Sequence, residues 1–137
     1  ALISICSLLN VLLPESQPNK NIYNSFEKLV ASLNIENWIF LYIFFELNLI
    51  KELGYDTNLS QNKFENVNIN DFNKVKIDSY IYEVPNFLIL KKIPDKFSNI
   101  LIKKSLNFTR YVMQNKFFMP NNIIFPKSRV ILENYFN

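Results

Sequence analysis

Side chains that commonly carry chemistry are scarce in this sequence. It contains no histidine, a single cysteine, Cys6, and a single glycine, Gly54. Without histidine neither a serine nor a cysteine nucleophile has its usual base, and with one glycine there is no phosphate-cradling loop and no nucleophile elbow. One thiol forms neither an intrachain disulfide nor a structural zinc site, so no metal or other cofactor is expected, and a reducing, cytoplasmic setting is the default. What remains for acid–base work is carboxylates. Glu46 and Glu52 are six residues apart and project to different faces of a helix at about 100° per residue, so they do not form a working pair. The inventory points away from an enzyme.

The element that must position Glu46 is the run Trp38 to Tyr55, WIFLYIFFELNLIKELGY, which ends at the lone glycine. On a helical wheel Glu36, Asn37, Asn48, Lys51 and Glu52 share one arc, and Trp38, Ile39, Tyr42, Ile43, Phe45, Leu49, Ile50 and Leu53 occupy the other. Glu46 falls at the centre of the apolar arc. A carboxylate there must be paired, because an isolated buried ion costs several kcal/mol. Arg129 and Arg110 are the only arginines and the best bidentate partners. Arg110 falls on a polar stripe, which leaves a Glu46–Arg129 pair as the expectation. Phe40 and Phe44 break the pattern in the opposite sense, since they fall in the polar arc. Either other elements cover them or they form an exposed aromatic patch that accepts a partner's apolar side chain.

The 137 residues amount to one domain, 1–137, able to bury roughly two thirds of the surface of its unfolded chain. Thirteen Phe and seven Tyr make the core unusually aromatic. The periodicity predicts helices over Leu2–Leu13, stopped by Pro14, and over Asn21–Leu33, with Ile22, Phe26, Leu29, Val30 and Leu33 apolar. The central helix then runs from Asn34 as N-cap to Leu53, with Gly54 in the left-handed closing position. ALISICSLLNVLL has no basic leader and no small-residue cleavage site, so it reads as an amphipathic core helix, not a signal peptide. The chain begins at Ala1 without an initiator Met, which suggests an origin inside a longer protein. The longest unbroken apolar run of the central helix, Trp38–Phe45, is far short of the ~20 residues of a membrane span.

Residues 55–94 are Asn-rich, and Val67, Ile69, Val75 and Ile77 alternate weakly, which suggests an irregular arm with one or two short strands. A long helix follows from Asp95 or Lys96 to Phe118, with Phe97, Leu101, Phe108 and Val112 inward. Asn99, Lys103, Asn107, Arg110 and Gln114 form its solvated stripe. Pro126 is placed at the first position of a last helix reaching Phe136. The fold class is therefore mainly α, a helical bundle with an irregular arm. Charge is uneven: residues 1–60 hold three Lys against five Glu and one Asp, net −3, and residues 61–137 hold twelve Lys and Arg against six acids, net +6. The second half could face phosphate or an acidic peptide.

Three groups of residues resemble the bacterial recombination protein RecO. F-E-L-N-L-I-K-E-L-G-Y at Phe45–Tyr55 is similar to that family's F-E-L-x-L-L-x-x-L-G-Y segment. Leu12-Leu13-Pro14-Glu15, followed by Pro18 and Phe26, resembles the entry to its second helix. N-F-T-R at Asn107–Arg110 and P-K-S-R at Pro126–Arg129 are similar to its last two helices. The resemblance implies the C-terminal helical part of such a protein, with no counterpart here of the family's N-terminal OB-fold. It implies a cytoplasmic, nucleoid-associated DNA repair and recombination mediator without covalent chemistry. Such a protein binds and anneals single- and double-stranded DNA, works with RecR, and helps RecA load onto DNA coated by the single-strand-binding protein SSB. Many members carry cysteines in the arm, some binding zinc; the first such position here is Asn62, and no cysteine follows. Many also have an arginine before F-E-L that meets the acidic, Phe-ending SSB tail. Phe44 stands there in this sequence, able to pack on the tail's Phe but not to pair with its carboxylate, and Lys51 is the substitute cation. Lys91, Lys92, Lys96, Lys103 and Arg110 are the candidate DNA contacts. The alternative reading is a non-catalytic interaction domain that docks a partner peptide through Phe40 and Phe44.

Overall fold

A computed structural model describes residues 6–9, 20–31, 37–55, 57, 59, 68–96 and 98–136. Residues 6–9 are helical, and Leu8 is buried. The remainder of the expected first helix, the Pro14–Asn19 turn, Asn34, Asn62, Val67 and Phe97 lie outside the described residues. Helix α1 is Lys20–Ala31, buried at Ile22 and Leu29. Val30, expected in the same stripe, is 40% exposed. It lies about 80° round the helix from Ile22, at the margin of the packed face.

Helix α2, Trp38–Glu52, is the axis of the fold. Asn37 occupies its N-cap without a side-chain cap bond, three residues later than the sequence suggests. Its C-terminus closes as a Schellman motif. The Tyr55 N–H donates to Ile50 O (3.2 Å) and the Gly54 N–H to Lys51 O (2.9 Å), with Gly54 at φ 100°. A residue with Cβ is strained at that φ, which is why the lone glycine stands at this position.

The arm contains a hairpin: β1, Phe72–Ile77, pairs antiparallel with β2, Tyr80–Pro85, from Phe72↔Pro85 to Ile77↔Tyr80. Val75, Ile77, Tyr82 and Val84 face inward, while Lys74, Lys76, Ile81 and Glu83 face out. Asp78 takes a positive φ of 55° at the tip, which Asp tolerates better than most residues. The second strand was not legible in the sequence, because Tyr-Ile-Tyr-Glu-Val-Pro carries no strict alternation. Ile69 is in a turn before β1. A short helix α3, Asn86–Leu90, follows directly, with Phe87, Leu88 and Ile89 buried.

Helix α4, Asn99–Met113, begins later than expected because Ser98 caps it, its Oγ accepting from the Leu101 N–H at 3.4 Å. It continues as a π-turn over Gln114–Phe118. Helix α5, Lys127–Asn134, has Pro126 at its N-cap, one position outside the expected place. α2 packs against α1 and α4, α5 packs against α4, and β2 lies on α4. Phe87 of α3 reaches the remaining side of α2, its ring edge-on to Phe40 at 5.4 Å and to Phe44 at 6.0 Å. The central helix is thus enclosed almost all round. The exposed aromatic patch must be corrected accordingly: Phe40 is fully buried and offers nothing to a partner, and Phe44 alone stays half-exposed.

Candidate functional site

Glu46 and Arg129 are both 0% exposed and meet side-on. Arg129 donates from Nε to Glu46 Oε2 at 2.6 Å and from Nη2 to Oε1 at 2.9 Å. The Tyr42 hydroxyl donates to Oε2 at 2.9 Å and the Thr109 hydroxyl to Oε1 at 2.8 Å, which fills the carboxylate's acceptor positions. Arg129 has three further partners, Leu106 O at 3.0 Å, Thr109 Oγ1 at 3.1 Å and Glu133 Oε2 at 3.4 Å. Burial opposes the guanidinium charge, but adjacent Glu46 outweighs it and holds the proton more firmly than in water. Burial and then the Glu46 charge push the Tyr42 phenol well above its ordinary value, so it stays a donor. The cluster ties α2, α4 and α5 together, which is a structural role.

Glu133, buried to 1% exposure, extends the cluster toward the surface. It lies 3.3 Å from Arg110 Nη2 and 3.8 Å from Lys103 Nζ. Of the stripe, Lys103, Asn107, Arg110 and Gln114 are half-buried, and Asn99 is exposed. This corrects the setting of two candidate DNA contacts: Lys103 and Arg110 keep side-chain exposures of only 26% and 23% and are already neutralised in part by Glu133. Sequence reasoning missed Glu133. The available signal was its i, i+4 spacing from Arg129 in a predicted helix. By contrast Lys91, Lys92 and Lys96 are exposed and form no ion pair among the described residues.

A cleft of about 300 Å³ opens where the C-terminal end of α2 meets α3, walled by Phe44, Lys51, Tyr55, Leu59, Leu88 and Lys91. Tyr55 is fixed there from outside. Its hydroxyl donates to Asp78 Oδ2 at 2.9 Å, Lys116 Nζ bonds the same oxygen at 2.5 Å, and the ammonium lies 4.6 Å from the Tyr55 ring centre. The hydrogen bond from Lys116 and then that from Tyr55 hold the Asp78 carboxyl below its ordinary range. The hairpin tip and the π-turn thereby hold one wall of the cleft. On the hairpin's outer face Lys104 pairs with Glu83 at 2.7 Å. Among the described residues no His, Cys, Asp and Glu cluster is arranged to hold a metal ion, and no helix is long and apolar enough to cross a membrane.

The arrangement defines a helical scaffold with a buried ion cluster at its centre and a lysine-rimmed cleft of mixed polarity beside an exposed lysine run. The chain belongs to the RecO family: the profile described as Recombination protein O C terminal matches residues 1–84. It is also 29% identical over 139 residues to the DNA repair protein RecO of Ehrlichia chaffeensis (strain ATCC CRL-10679 / Arkansas), an alignment that covers 89% of this chain and 57% of that protein. The chain thus spans little more than half the length of this curated relative. No solved structure matches. The profile match takes in α1, α2 and all but the last residue of the hairpin, while α4 comes into the comparison only through the longer alignment.

Proposed function

We propose that this chain is the helical domain of a RecO-type recombination mediator that works in the bacterial cytoplasm at the nucleoid without covalent chemistry. In this reading Lys91, Lys92 and Lys96 contact the phosphates of single- and double-stranded DNA, and the Phe44 cleft seats the acidic, Phe-ending tail of SSB. RecR and the family's OB-fold complete the machine that assists RecA loading. The observation that carries the proposal is the double membership of Lys91. It lines the cleft beside Phe44 and Lys51 and also begins the exposed lysine run. A mediator that takes SSB off DNA needs its tail site and its phosphate contacts side by side, so that one event biases the other. An ammonium at Lys51 or Lys91 supplies the charge for the tail that Phe44 lacks, and the Phe44 ring supplies apolar contact. A docking domain without DNA would use Phe44 but have no need of the lysine run.

The test uses full-length protein and fluorescence anisotropy of labelled single-stranded DNA. Phosphate contacts carry no sequence information and make affinity salt-dependent. The triple substitution Lys91→Glu, Lys92→Glu, Lys96→Glu should lower affinity and reduce the slope of log K against log salt by roughly 2, at ~0.7 per lost phosphate contact. Unchanged affinity and slope would refute the DNA assignment. These lysines are cleaner probes than Lys103 and Arg110, whose reversal would also leave Glu133 buried among like charges. For the tail site, Lys51→Glu should abolish binding of an acidic peptide ending in Phe.

A further inference from the structure

A hollow of about 260 Å³, separate from the cleft, lies between the first half of α4 and the residues that end α5, lined by Asn99, Ile100, Lys103, Lys104, Asn107 and Phe136. Its inner surface is almost wholly apolar although two lysines contribute to it. Consecutive on α4, their side chains are drawn apart. Lys103 Nζ lies 3.5 Å from Asn134 Oδ1 and 3.8 Å from Glu133 Oε1, whereas Lys104 Nζ lies 2.7 Å from Glu83 Oε2 on β2. The ammonium groups are engaged elsewhere, and the hollow receives the methylene stems. Ile100 in its wall is 64% exposed. On the α5 side Tyr135 is 79% exposed, its ring perpendicular to the buried ring of Phe136 with centres 5.2 Å apart. Asn107 in the wall has an Oδ1 that is shut off from water and has no hydrogen-bond partner among the described residues. An occupant carrying an N–H donor removes that cost once the amide turns toward it. Lys96, which is exposed, precedes Asn99 by three residues, at most about 11 Å of chain.

We infer that this hollow and the Tyr135 ring beside it receive one unpaired nucleobase of a single DNA strand whose phosphate is held at Lys96. The inference rests on the reading of Lys91, Lys92 and Lys96 as phosphate contacts and adds a site for a base, which that run does not contain. Three observations select the occupant. The ammonium groups of the hollow are already engaged, so it is not itself a phosphate site, yet an exposed ammonium lies a few residues away. A nucleotide, with a flat uncharged base beside an anionic phosphate, matches both. The exposed Tyr135 ring suits a base of any kind, because stacking on an aromatic side chain needs only a π-face. Asn107 lacks an N–H donor, which the edge of every nucleobase carries and an aliphatic side chain of a protein does not. In a duplex that edge is taken up by pairing and the faces are covered by neighbouring bases. Lysine contacts to phosphate hold either form of DNA, and the hollow adds affinity only for the unpaired one.

The test compares two fluorescein-labelled single strands, oligothymidylate and an abasic strand of the same length, by anisotropy with the full-length protein. Tyr135→Ala, an exposed substitution, should weaken binding of oligothymidylate about fivefold or more, as loss of one stacking partner does. It should leave the affinity of the abasic strand and the salt slope unchanged. Tyr135→Phe keeps the ring and should keep the affinity. Irradiation of the complex with a strand carrying 4-thiothymidine should link it to Tyr135 or to the stretch 99–107, as mapped by mass spectrometry, and annealing the complementary strand beforehand should abolish that link. Unchanged oligothymidylate affinity in Tyr135→Ala, or a photolink that never falls on these residues, would overturn the base site and leave the lysine reading standing. An equal loss on both strands would overturn it too, since such a loss does not depend on a base. If the triple lysine substitution leaves affinity and slope unchanged while Tyr135→Ala still separates the two strands, the base site stands and the phosphate reading falls. Concentration-dependent self-association abolished by Tyr135→Ala would make the occupant a second copy of the chain and refute the inference.

Discussion

Replacing Arg129 with Met tests the central electrostatic feature of the fold. The guanidinium is wholly buried, and the change removes both of its bonds to Glu46, at 2.6 and 2.9 Å, together with its contact to Glu133 at 3.4 Å. Tyr42 and Thr109 still donate to Glu46, but no cation among the described residues remains in contact with its carboxylate. Two charge-assisted hydrogen bonds at ~1.5–3 kcal/mol each suggest a loss of about 3–6 kcal/mol. Breaking a buried pair from one side typically costs about 3–5 kcal/mol, in agreement. Against a total stability of about 5–15 kcal/mol, the variant should be marginal or unfolded at ambient temperature. Urea denaturation followed by far-UV circular dichroism measures the loss directly. The companion double variant Glu46→Leu, Arg129→Met removes both charges and should regain most of the deficit, because apolar replacement of a whole buried pair is often neutral or stabilising. A loss under about 1 kcal/mol in the single variant, or a double variant no more stable than the single, would refute the account of an ion pair held in a water-free core.

Other expectations follow from the packing. Phe40→Ala should cost about 3–5 kcal/mol, because its ring is fully enclosed against Phe87. Phe44→Ala should cost clearly less and instead weaken acidic-peptide binding, so equal destabilisation by the two in thermal melts would contradict the cleft. Gly54→Ala meets no steric neighbour, yet it should destabilise by about 1–2 kcal/mol through its positive φ alone, and Gly54→Asn by less. The Tyr55–Asp78–Lys116 contact should respond to acid. Asp78 is held below its ordinary range, chiefly by the hydrogen bond from Lys116, so the folded state binds its proton less readily than the unfolded chain. The stabilisation is complete above the unfolded carboxyl value of about 3.9 and is lost as pH falls through the lower folded value. An NMR titration of the Asp78 carboxyl showing an ordinary midpoint would argue against the contact.

Much of this protein follows from sequence because local rules act on local residues. The 3.6-residue periodicity placed α1, α2 and α4, Pro126 marked the start of α5, and the single glycine marked the end of α2, since only that residue takes φ 100° without strain. The burial logic of one carboxylate in an apolar face, with only two arginines to choose from, named Arg129 as the partner that the structure brings to Glu46. Tertiary contact decided what periodicity cannot carry. Whether Phe40 is a surface or a core residue depends on Phe87, 47 positions away in the chain, arriving across α2 from the arm. Whether Lys103 and Arg110 are free cations depends on α5 bringing Glu133 alongside them. The strand β2 became visible only in its pairing with β1, because half of a hairpin's signal lies in its partner. The cleft has no counterpart in any sequence window, since its walls come from α2, from the residues just beyond it and from α3. A helix wheel records which way a side chain points, and only the packed chain determines what it meets there.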